Sequence, residues 1–149
     1  MSVPKTPARP IDFAALADFR YEIRRFLNFS EAAARAAGIE PQQHQALLAI
    51  KGRARGLDTT IGALAERLQI QHNTAVELSR RLEARGWILR SRSPKDAREV
   101  HLTLTRRGES ILEKLSVSHR NELRTAGPRL VSALRAAVAQ RGKSRRRYA

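Results

Sequence analysis

Four consecutive residues, Gln71, His72, Asn73 and Thr74, have compact polar side chains that can form hydrogen bonds. The amides of Gln and Asn can pair bidentately with N6 and N7 of adenine, so this run, placed at the start of a helix, suits the reading of base edges. Gln71 or Asn73 also fits a helix-capping role, and His72 fits a surface position with no contact. Further along, Arg80 and Arg81 are suited to phosphates, although Glu77 and Glu83 are close enough in sequence to pair with them instead. A second group, Arg92, Lys95, Asp96 and Arg98, supplies three cations around one carboxylate. Arginine suits the enhanced negative potential of a narrow minor groove. Asp96 is placed to hold Arg98 by a charge-assisted pair, which would also fix the turn between them.

Other chemistries find no support. There is no Gly-rich phosphate loop, no Ser-His-Asp ordering and no HExxH motif, so no catalytic residue is named and no enzyme is expected. The chain has no Cys, and its four His, at 44, 72, 101 and 119, are too widely spaced for a local metal motif. No metal and no cofactor are expected. Charge is more informative: 29 Lys and Arg against 14 Asp and Glu leave a net +15, a field that attracts polyanions through counterion release. Residues 86–108 hold six basic and two acidic side chains, and 141–149 hold five basic and none acidic. A basic surface kept only for solubility is the plainer alternative.

The elements that would position these groups follow from periodicity. After an arm over 1–10, residues 11–36 carry Leu16, Phe19, Ile23 and Phe26 on one helical face, a heptad-like seam. Gly38 stops that helix, and Glu40-Pro41 starts another. Gly52 and Gly56 loosen the connection that follows. Thr60 is an N-cap candidate before Ile61, Leu64, Ala65 and Leu68. After a break at Gln69-Ile70, a second amphipathic run from about Asn73 to Arg85 turns Ala75, Leu78 and Leu82 inward, with Gly86 at its C′ position. Two short helices and a tight turn predict a helix-turn-helix.

Residues 87–90 and 99–104 read as two strands of a hairpin with a basic tip, and Trp87 reads as core beneath it. Thr105 caps a long helix that Gly127-Pro128 is expected to break. Leu130, Val131, Leu134, Ala137 and Val138 line one side of a last helix, and a basic tail follows from 141 to 149. The fold expected is mainly α with a small β-hairpin wing: one domain over 11–140, its DNA-binding part at about 57–105. Neither a signal peptide nor a membrane-length apolar run is present, so the expected location is the cytoplasm, with no membrane partner.

The run from Ile61 to Leu68, then Ala75-Val76 and Arg81 to Ile88, resembles the helix-turn-helix of the MarR family of bacterial regulators. Asp96-x-Arg98 followed by Leu102-x-Leu104-Thr105-x-x-Gly108 is similar to that family's wing, at the expected spacing. The likeness runs from about residue 12 to 140. It implies a winged helix-turn-helix with N- and C-terminal dimerisation helices, bound to double-stranded DNA as a homodimer. It also implies repression of transcription, with release by a small aromatic or anionic effector. Phe19, Tyr21, Phe26, Phe29 and His44 are candidates to line an effector cleft, or else plain core and dimer interface. Gln69 and Gln71 replace the Gly and Ser frequent around the family's turn, and Glu77 stands where many members are polar or basic, so operator sequence does not carry over. The competing reading is a non-specific architectural nucleic-acid-binding protein driven by the +15 charge. Aromatic residues make up only 5% of the chain, which argues against RNA-type stacking platforms.

Overall fold

The computed structural model describes residues 10–55 and 57–139. The arm expected over 1–10 lies outside them except for Pro10, and the tail expected over 141–149 lies outside them entirely. Five helices and three short strands follow in the order α1 (Phe13–Ala36), α2 (Pro41–Lys51), β1 (Thr59–Thr60), α3 (Ile61–Leu68), α4 (His72–Ala84), β2 (Ile88–Arg92), β3 (Val100–Leu104) and α5 (Arg106–Ala139). They form two compact units. Of the described residues, one, the terminal unit, takes in 10–29 and 120–139, and the other, the inner unit, runs from Ser30 to His119.

In the inner unit each helix boundary has a local cause. Gly38 takes φ +80°, a left-handed turn that ends α1. Pro41 opens α2, where its missing N–H costs nothing, and the Gln43 side chain accepts the Glu40 backbone N–H at 3.1 Å. Thr60 caps α3 by accepting the Ala63 N–H at 3.1 Å. The turn between α3 and α4 is made by Gln69 at φ 53°, its amide donating to the Glu66 carbonyl at 2.8 Å. Gly86 at φ +73° ends α4 and feeds the chain into β2.

One core joins these elements. Ile39, Leu47, Leu64, Leu82, Ile88 and Leu102 are its largest fully buried side chains, and Trp87, Leu112 and Leu115 complete it. Ala75, Leu78 and Leu82 face inward from α4 as expected. The wing is a three-stranded antiparallel sheet, order β1-β3-β2, rather than a two-stranded hairpin. Thr59 pairs with Leu102 and Thr60 with His101, so the residue that caps α3 also closes the sheet. A strand of two residues carries no periodicity and could not be read from sequence.

In the terminal unit, Asp12 opens α1 by accepting the Ala15 N–H at 3.0 Å, and Glu22 of α1 meets Arg129 of α5 at 3.7 Å. The break expected at Gly127-Pro128 is absent: α5 is continuous over 34 residues with Pro128 inside it. An interior proline removes one hydrogen bond and costs about 3 kcal/mol. Pro128 and Arg124 are both exposed, so water can satisfy the carbonyl left unpaired. Leu16, Tyr21, Leu123, Val131, Leu134 and Val138 are also exposed in this unit.

Candidate nucleic-acid interface

Helix α4 begins at the polar run. Gln71 occupies the N-cap position in extended geometry without a side-chain capping bond, and Asn73 lies inside the first turn, so neither amide is spent as a cap. Gln71, His72, Asn73 and Thr74 are all exposed. The buried face of the same helix, with Ser79 donating to the Val76 carbonyl at 2.7 Å, fixes the direction in which the polar turn projects. Arg80 pairs with Glu77 at 2.7 Å, the alternative left open by the sequence. Arg81 is exposed. Glu83 turns instead to the wing, accepting the Arg90 backbone N–H at 3.0 Å.

The wing tip is organised by short polar contacts. The Ser93 hydroxyl accepts the backbone N–H groups of Lys95 and Asp96 at 3.2 and 3.4 Å. Asp96 Oδ1 accepts the backbone N–H of Arg98 at 2.9 Å. The expected Asp96–Arg98 side-chain pair is therefore corrected: the carboxylate closes an Asx-type turn on the main chain and leaves the Arg98 guanidinium outside it. Arg92 donates to the Ala97 carbonyl at 3.3 Å, so it braces the hairpin. Lys95 and Arg98 stay exposed at the tip.

His72 and Arg98 line one notch of about 270 Å³, together with Thr60, Val76 and Arg90. The helix start and the wing tip thus share a surface, which the sequence order alone does not guarantee. Arg80 and Arg81 lie farther along α4. Arg90 was not singled out by sequence reasoning, although strand alternation from Ile88 places it on the core face of the sheet. Arg85 was also missed: its guanidinium stacks 4.3 Å from the Trp87 ring centroid and donates to the Gly38 carbonyl at 3.1 Å, tying the end of α4 to the α1–α2 corner. Trp87 is buried, as expected of a core residue.

Of the effector-cleft candidates, Phe19, Tyr21, Phe26 and Phe29 belong to the terminal unit and His44 to the inner one. Tyr21 is exposed. His44 is 2% exposed and its Nδ1 has no hydrogen-bond partner. Its ring lies 4.8 Å from that of His119, and burial together with the neighbouring His119 lowers its pKa from 6.5 to about 4. Among the described residues no cluster of His, Cys, Asp and Glu could hold a metal ion, and no helix is long and apolar enough to cross a membrane.

Residues 37–99 match the MarR family model. No curated protein matches the chain. Among solved structures, AbsC, a MarR family transcriptional regulator from Streptomyces coelicolor, is similar with a TM-score of 0.68 and 16% identity over 84% of this chain and 82% of that one. A point mutant of MepR from S. aureus, bound to an oligodeoxyribonucleotide, gives 0.62 and 19% over 88% and 96%. BpsR from Bordetella bronchiseptica, whose DNA binding is regulated by 6-hydroxynicotinic acid, gives 0.59 and 20% over 76% and 83%. At these identities the structures establish the fold, and the family match covers the helix-turn-helix and most of the wing. Residues 37–99 are thus similar to the MarR family, and the chain has the winged helix-turn-helix fold of these structures.

Proposed function

We propose that this chain is a repressor that binds an imperfect palindrome as a homodimer, with the first turn of α4 in the major groove and the wing tip against the adjacent minor groove. The observation that carries the reading is the shared surface of His72 and Arg98, which puts base-reading and wing groups on one side of the inner unit. Gln71, Asn73 and Thr74 join His72 as base-reading groups. Arg80, Arg81, Arg92 and Lys95 supply positive charge toward the backbone, and Asp96 shapes the tip.

The exposed apolar side chains of α1 and α5 favour a second copy of the chain as their cover. Two-fold docking then places the recognition helices about 34–36 Å apart, one turn of DNA. The fold shared with the DNA-bound MepR mutant supports the DNA reading, and that shared with BpsR supports release by a small aromatic acid. The cytoplasm is the compartment such a role requires.

Selection of random duplexes by the purified protein at about 0.15 M salt, where non-specific attraction is already screened, tests the proposal. The expected result is an imperfect palindrome bound by two chains. Recovery of no motif would instead favour the architectural reading, in which the basic surface itself does the binding. On the selected operator, Arg98→Ala is expected to weaken binding by about 1–3 kcal/mol with the oligomeric state unchanged. Equal affinity in a folded variant would remove Arg98 from the interface.

A further inference from the structure

We propose that the notch between α4 and the wing holds one backbone phosphate of bound duplex DNA and that Arg90 is the residue that grips it. This rests on the reading of the chain as a DNA-binding regulator, and it assigns a role to a notch residue that the proposed function leaves without one.

The argument begins with the strand. In the β2–β3 register Ile88 pairs with Leu104, Arg90 with Leu102 and Arg92 with Val100. Side chains alternate along a strand, so Arg90 shares the face of Ile88 and sits opposite Leu102, the two most deeply buried residues of the sheet. Arginine on that face is costly unless its polar atoms are satisfied. Its Nε is nevertheless buried without a partner, and among the described residues no ion pair engages its guanidinium. Neither nearby carboxylate is paired with that guanidinium: Glu83 accepts the Arg90 backbone N–H at 3.0 Å, and Glu99, on the notch wall, lies 3.5 Å from His101, an ion pair only when that imidazole is protonated.

The notch therefore sets two arginines against the single carboxylate of Glu99, and no ion pair joins that carboxylate to Arg90. Arg90 and Arg98 both line it, with His72 at the start of the recognition helix and the Thr60–Gly62 turn opposite. A tetrahedral oxyanion suits such a recess, because the planar guanidinium fork matches phosphate geometry. Duplex DNA docked on α4 and the wing runs a strand of backbone between the groove that each one enters. A phosphate of that strand is the oxyanion the docking geometry delivers to the corner. An inward-pointing charge on β2, an edge strand, would also discourage edge-to-edge pairing, and the experiment separates that role from the clasp.

Arg90→Met keeps an apolar stem in the packed position and removes the charge, while Arg90→Lys keeps the charge and loses the fork. Binding is measured across a salt series on the selected operator or, if no motif is selected, on a random duplex, so the clasp is tested whichever way the regulator reading falls. Expected for Arg90→Met is a loss of ten-fold or more in affinity at 0.15 M salt and a log–log salt slope shallower by about one, with sequence preference unchanged. Arg90→Lys should recover most of the slope.

A series of duplexes, each with one neutral methylphosphonate, locates the contact. Wild-type protein should lose affinity at one phosphate position in each half-site at which Arg90→Met loses nothing more. If Arg90→Met does not fold, the same series with Arg90→Lys carries the test through a smaller cost at that position. An unchanged salt slope overturns the clasp and leaves Arg90 an edge-protecting residue. So does a methylphosphonate cost that is the same in wild type and variant at every position. Competition by inorganic phosphate at equal ionic strength, with no response to methylphosphonates, would assign the notch to a free anion and likewise overturn it.

Discussion

Gly108→Ala is expected to destabilise the protein by about 3 kcal/mol, although alanine ordinarily strengthens a helix relative to glycine by about 1 kcal/mol. Gly108 is buried in the first turn of α5. A Cβ there would lie 2.0 Å from the Trp87 carbonyl oxygen, 2.9 Å from its carbon and 3.3 Å from its Cα. All three are backbone atoms, so no side chain can swing aside. The same junction is tied by three hydrogen bonds: Thr105 N–H to the Trp87 carbonyl at 3.0 Å, the Thr105 hydroxyl to the Gly86 carbonyl at 2.6 Å, and Gly108 N–H to the Thr105 hydroxyl at 3.1 Å. Lifting α5 away to admit a methyl group strains all three and loosens Trp87 above the core. Gly127 is the internal control, since a Cβ at that helical position meets nothing within 4 Å and Gly127→Ala should add about 0.5–1 kcal/mol. Urea unfolding of both variants decides the matter. A Gly108→Ala protein as stable as wild type would mean that α5 and the start of β2 do not meet this closely.

This junction also shows what a sequence can and cannot yield. Thr105 and Gly108 were legible as a spaced motif, and the capping role of Thr105 was legible from its chemistry. The reason for the glycine was not, because the atom it avoids belongs to a residue far back in the chain. Local signals were read well where one residue acts on its own neighbourhood: Gly38, Gly86, Thr60 and the inward face of α4 all do what their types predict. Signals failed where tertiary surroundings outweigh propensity. Pro128 does not end α5, because a long helix with solvent beside the lost hydrogen bond can carry the cost.

The candidate interface divides the same way. The polar run at Gln71 to Thr74 was visible because helical periodicity resumes just behind it. Asp96 was recognised as a wing-shaping residue, but its partner is the main chain of Arg98 rather than the guanidinium, a distinction fixed by turn geometry that residue types do not encode. Arg90 passed unnoticed as one cation among many. Its unusual position appears only when β2 is registered against β3, where Leu102 opposite it shows which face of the sheet is buried.

Acidification is expected to weaken the fold through His44, and the sign follows from where its proton affinity moves. The ring is 2% exposed and sits 4.8 Å from that of His119. Leu115 offers a carbonyl, which can only accept, so Nδ1 of His119 carries a hydrogen and its Nε2 meets the Ser30 hydroxyl at 2.7 Å. No salt bridge engages His44 among the described residues. Desolvation first, and the neighbouring His119 second, lower the folded-state pKa of His44 from 6.5 to about 4. Above pH 6.5 the ring is neutral in both folded and unfolded chains and contributes no pH dependence. Between pH 6.5 and 4 the unfolded chain binds a proton that the folded chain refuses, so stability falls with pH across that window and levels off below it. The full loss is on the order of 3 kcal/mol. His44→Leu removes the titration while keeping a buried apolar side chain. Urea unfolding of both proteins from pH 7.5 to 4 should therefore give curves that converge or cross as the wild type weakens. Carboxylates titrating near the lower end affect both proteins alike and cancel in the difference. Parallel curves across the window would show that His44 finds a partner for its proton, and the pair with His119 would then be a structural contact without a role in acid sensitivity.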